Sequence, residues 1–213
     1  MLERGSLYVS GNPKLQEVNF PMLSNFGYLV IANNSVLTSL VLPMVTSATY
    51  LHVVGNPMLQ AVNFPILQGF SSYSRFEITN NSVLTSLGFP MLETADLLYV
   101  TNNPMLQVVN FPVLQGFRSS DSPLEITNNS LLTSLGFPKL EMAGVVIVAN
   151  NTALTSLVFV ELYSMTNATI SNNPALQVVH FPSLPSSYAC SIVGFEGTVV
   201  FSDREVTYPV VDD

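Results

Sequence analysis

The chain has 213 residues, 48% of them apolar and only 9% charged, and its 6 Lys and Arg against 14 Asp and Glu give a formal charge of −8. This much apolar surface excludes disorder, the scattered cations exclude a phosphate-binding surface for nucleic acid, and no apolar run reaches the ~18 residues of a membrane-spanning helix. The single cysteine, Cys190, excludes an internal disulfide framework and a cysteine-based zinc cluster, and neither histidine has a second one nearby, so no metal or other cofactor is expected.

The first residues, MLERGSLYVSGNP, lack a cationic stretch followed by an apolar core, so no signal peptide is visible. They enter a repeating pattern at once, as expected of a segment cut from a longer chain, and no capping sequence precedes Leu7. Asparagines recur in phase at Asn12, Asn34, Asn56, Asn81, Asn103, Asn129, Asn151 and Asn173, with spacings of 22, 22, 25, 22, 26, 22 and 22 residues. Around each stands the unit L-x-(I/V)-x-x-N-x-x-L-x-x-(L/V)-x-F-P. Leu42 takes the place of its Phe in the second unit, and Val160 that of its Pro in the seventh.

Each unit opens on a short β-branched alternation such as LVIANN, FEITNN or LYVTNN, the pattern of a strand with one buried face. Alternation turns Leu29 and Ile31 inward and Val30 and Ala32 outward. A second short strand follows and buries residues such as Leu84, Leu87 and Phe89, and proline, lacking an N–H, closes it. No unit offers ten or more residues at helical spacing. One unit cannot bury its own apolar set, but stacked units share a core along an axis. The expectation is an all-β parallel β-solenoid of about eight coils over residues 1–184. After Pro182 the rhythm fails, and residues 185–213 are expected to form a capping segment and acidic tail, with IVGF and TVVFSD as short strands and Cys190 as a buried thiol.

The units LYVTNNPMLQVVNFPVL (98–114) and FEITNNSVLTSLGFPML (76–92) resemble the leucine-rich repeat in its all-β form. They are similar in particular to the receptor L domain of insulin- and epidermal-growth-factor-type receptors and of fungal cell-wall proteins. The resemblance spans about residues 6 to 184. It implies a right-handed parallel β-helix, an extracellular or cell-surface setting, and recognition of a protein or glycan on the side of the solenoid. The receptors staple the ends of these domains with cysteines, and this chain carries only Cys190.

The second asparagine of each pair is expected to point inward at a tight corner and to bond backbone groups of the neighbouring coil, which makes a structural ladder of the eight phased asparagines. The residue before it, Asn or a glycine at Gly11 and Gly55, suits a left-handed turn. Asn33, Asn80, Asn128, Asn150 and Asn167 each begin N-x-(S/T) and are glycosylation candidates in a secreted eukaryotic chain.

Function is expected on outward columns and insertions. The mid-strand column reads Tyr8, Val30, His52, Glu77, Tyr99, Glu125, Ile147, Thr169, in which His52, Glu77, Tyr99 and Glu125 form a polar and aromatic contact strip. Glu77 and Glu125 fall roughly 10 Å apart at two strand spacings, but an open sheet supplies neither cleft nor desolvation for acid and base work. The expectation is a noncatalytic module. The insertions GFSSYSRF (69–76) and GFRSSDSPL (116–124) add Arg75 and Arg118 as ligand-binding candidates. A rival reading takes the next outward column, with Thr79, Thr101 and Thr127 in consecutive coils, as an ice-binding face like that of solenoid antifreeze proteins.

Overall fold

A computed structural model describes residues 5–117, 119, 121–188, 190–193 and 197–208, with side chains described for all of these except 70–73, 110, 190, 193 and 208. The described residues form strands and turns without a helix, and none could cross a membrane as one. Successive units stack as the coils of a parallel β-solenoid, and three ladders run along its axis.

The widest ladder holds the first strand of each unit, from Ser6–Ser10 through Tyr28–Ala32, Ser47–Val54, Gly69–Thr79, Leu97–Thr101, Pro123–Thr127, Met142–Ala149 and Ser164–Ser171 to Cys190–Val193. Every one of these pairings is parallel and in register with the repeat, apart from a bulge between Ala48 and Tyr50, where the first insertion lengthens its strand. The second ladder stacks short strands from Ala61–Asn63 to Gly197–Phe201. A third, narrower ladder joins Ser47, Gly69, Thr94, Gly116, Met142 and Ser164.

The alternation falls as the sequence dictates. Leu29 and Ile31 are fully buried, Leu84, Leu87 and Phe89 are buried to within 1%, and Val30 and Ala32 face outward. The closing phenylalanines make a continuous interior stack, with ring centroids 5.5 Å apart from Phe64 to Phe89 and from Phe89 to Phe111, and 5.2 Å from Phe137 to Phe159 and from Phe159 to Phe181. Stacked coils place like against like, so one aromatic choice fills the same hole again and again.

The asparagine corner explains the repeat. Asn81 donates its backbone N–H to Asn103 Oδ1 at 3.1 Å and its amide Nδ2 to Val53 O at 2.9 Å and Thr79 O at 3.1 Å. The same pattern runs from Asn34, which donates to Asn56 Oδ1, to Asn151, which donates to Asn173 Oδ1. A carboxamide offers one acceptor and two donors from one group, which is what a buried corner with both N–H and C=O groups to satisfy requires. All of the ladder asparagines from Asn34 to Asn173 are buried, while Asn12, in the first coil, is exposed but bonded in the same way. The preceding residue lies in the left-handed region at Asn33, Asn80, Asn102, Asn128, Asn150 and Asn172, with φ between 54° and 58°. Gly55 has φ 66°, and a Cβ there would come within 2.6 Å of Asn33 Oδ1, so glycine relieves both strain and crowding.

Beyond Pro182 both sheets continue where the sequence rhythm fails. Cys190–Val193 pairs parallel with the widest ladder and Gly197–Phe201 with the second, and Phe201 extends the interior stack at 5.8 Å from Phe181. The Cys190 side chain lies outside the described ones. Glu205–Tyr208 then folds back antiparallel on Gly197–Phe201 and covers the end of that ladder.

Candidate functional site on the wide sheet

The register places the mid-strand column in one line: Tyr8 opposite Val30, Val30 opposite His52, His52 opposite Glu77, Glu77 opposite Tyr99, and Tyr99 opposite Glu125. Arg75 joins this strip. The insertion that carries it is absorbed into Gly69–Thr79, so Arg75 lies in the sheet opposite Tyr50 and Leu97 and not on a loop tip. Its guanidinium carbon sits 4.9 Å above the centre of the Tyr99 ring, and its Nε lies 3.0 Å from Glu77 Oε2, an ion pair off the hydrogen-bonding direction. On the other side of Glu77, His52 Nδ1 approaches Oε2 to 3.6 Å, and His52 Nε2 has no hydrogen-bond partner.

The neighbouring outward column supplies two residues that the repeat pattern did not single out. Tyr28 and Tyr50 pair in register and stack with centroids 4.4 Å apart and planes 5° from parallel. Tyr50 also lies 6.0 Å from the His52 ring. Alternation alone could have found them, because both sit two residues before members of the mid-strand column.

Electrostatics follow from this packing. Burial lowers the His52 pKa below its ordinary value, against the smaller upward pull of Glu77, and Arg75 lowers it further. Burial raises the Tyr99 pKa, with Arg75 opposing and Glu125 and Glu77 adding to it. Arg75 is balanced by Glu77, whereas among the described residues Glu125 has no cationic partner and accepts only from Thr127 Oγ1, at 3.2 Å. Chemically, the strip offers tyrosine edges and hydroxyls, one balanced ion pair and one free carboxylate on an open sheet.

The other candidates separate from this strip. Arg118 lies outside the described residues. Thr79, Thr101 and Thr127 do line up in consecutive coils, but Thr79 and Thr127 are only 9% and 7% exposed. Their hydroxyls are engaged, Thr79 with Thr101 at 2.9 Å and Thr127 with Glu125. Asn33, Asn80, Asn128 and Asn150 stand exposed along one corner, and Asn167 is exposed on the outward face of Ser164–Ser171. At the first coil a crevice of about 480 Å³ is lined by Tyr8, Leu15, Phe20 and neighbours, with Glu17 its one carboxylate among the described residues. Comparison of the sequence with protein-family models, with curated proteins and with solved structures returns no match in any of the three.

Proposed function

We propose that the chain is a noncatalytic recognition module of the receptor L domain kind, displayed outside the cell or on its surface, which binds a protein ligand across the wide sheet. The observation that carries this reading is the contiguous strip of Tyr28, Tyr50, His52, Arg75, Glu77 and Tyr99, pre-ordered by ring stacking and an ion pair. Aromatic side chains held rigidly on a β-frame give contact area at small entropic cost. Glu125, without a cationic partner among the described residues, favours a partner that brings a Lys or Arg to the edge of the strip. A glycan ligand is less favoured by the same geometry. Sugars stack on free ring faces, and here Tyr28 and Tyr50 each lose one face to the other while Tyr99 loses one to Arg75.

The test is a screen of the labelled chain against arrays of purified ectodomains and of glycans, with hits titrated against the triple variant Glu77→Ala, Tyr99→Ala, Glu125→Ala. The expected result is a protein hit weakened by about 30-fold or more, the effect of removing a hot spot worth ~2 kcal/mol. Binding that the triple variant leaves unchanged removes this face from the function. Hits confined to glycans replace the protein reading with the glycan one.

A further inference from the structure

A second inward corner lies where the narrow third ladder turns into the wide sheet, and it holds a carboxylate. Asp96 is only 6% exposed, with Ser74 beside it in the preceding coil at 1% and Ser122 in the following coil at 4%. One carboxylate oxygen, Asp96 Oδ2, accepts the Ser74 backbone N–H at 3.1 Å. This is the arrangement of the asparagine corner, where the N–H of one coil is received by a side-chain oxygen of the next. There the second side-chain atom is an amide nitrogen that donates to backbone carbonyls. In Asp96 it is an acceptor, Oδ1, which has no hydrogen-bond partner, and neither has the buried Ser74 Oγ.

A buried carboxylate with one hydrogen bond is costly unless a positive charge meets it. Arg75, the nearest cation in sequence, is occupied on the outer face with Glu77 and Tyr99. Two oxygens that do not hydrogen-bond each other can still share a central ion with bonds of about 2.3–2.6 Å. We propose that Asp96 Oδ1 and Ser74 Oγ hold a hard cation of the calcium kind, completed by carbonyl or water oxygens, at the point where both inserted coils enter the wide sheet. Such a site uses oxygen alone, so it leaves none of the histidine or cysteine spacing by which metal sites are read from sequence.

The experiment follows thermal unfolding of chelator-treated protein in calcium chloride against choline chloride at equal ionic strength. With one carboxylate the affinity falls in the weak range of such sites, and ~10 mM calcium is expected to raise the wild-type midpoint by about 4 °C. Glu141→Gln, which removes an exposed acid, keeps this response and so controls for screening of the net charge. Asp96→Asn loses the response, and its calcium-free midpoint equals or exceeds that of the wild type, because a carboxamide supplies the missing donor. Ser74→Ala, which keeps the backbone bond to Asp96, weakens the response. An equal response in all four proteins, or none in the wild type, overturns the proposal.

Discussion

The two faces of the wide sheet are built from alternate residues of the same strands, yet they obey different rules. Inward positions repeat from coil to coil, as with Leu29, Leu51, Phe76, Leu98 and Leu124, all of them fully buried. Outward positions in the same strands change from Tyr to Val to His to Glu. Stacking explains the inner constancy, because each side chain packs on its own counterpart one coil away and a change must be matched on both sides. No such constraint acts outside. Variation there is free to serve a ligand, and the polar and aromatic residues gather in the middle coils.

The comparison breaks most severely at the interior stack. Phe89 is fully buried between Phe64 and Phe111 and meets Phe76 edge-on at 4.7 Å. Phe89→Ala is expected to lower stability by about 3–5 kcal/mol in denaturant unfolding. Next comes the corner. Asn103→Ala removes the acceptor of the Asn81 N–H and the donors to Ile78 O and Thr101 O, and is expected to cost about 2–4 kcal/mol. Its neighbour Asn102, exposed and at φ 56°, sharpens the contrast. Asn102→Ala should cost only about 1–2 kcal/mol, from left-handed strain, while Asn102→Gly stays near neutral. One position along the chain separates a hydrogen-bond requirement from a dihedral one.

On the outer face the effects are smaller and depend on pH. Because burial lowers the His52 pKa from its ordinary 6.5, the unfolded chain takes up the proton before the folded one. The stability contributed by neutral His52 is therefore complete above about pH 6.5 and is lost as pH falls through the folded-state value. A proton NMR titration should place the His52 midpoint below 6.5. Glu77→Gln should move it further down and Arg75→Ala should move it up, following the signs of their fields.

How much of this was legible in the sequence depends on periodicity. The coil register, the inward asparagines and the left-handed residue before them all follow from a spacing of 22, because identical positions must stack. Where the period slips, legibility ends. The longer unit with Arg75 reads as an insertion outside the repeat, but a bulge beside Ala48 absorbs the extra residues and keeps Arg75 in the sheet. The parallel strands after Pro182 keep Phe201 in the stack but lose the asparagine that marks every earlier coil and the proline that closes all of them but the seventh. Alternation marks Tyr28 and Tyr50 as outward, but their stacking is not legible along the chain, because it exists only once the two coils are in register.

The central claim is that the inner columns make the fold and the outer strip is free of it. Guanidinium unfolding of the triple variant Glu77→Ala, Tyr99→Ala, Glu125→Ala tests this most directly. A stability within about 1 kcal/mol of the wild type is predicted, as for substitutions on a solvated face. A loss as large as that of Asn103→Ala would contradict it and make the strip part of the frame.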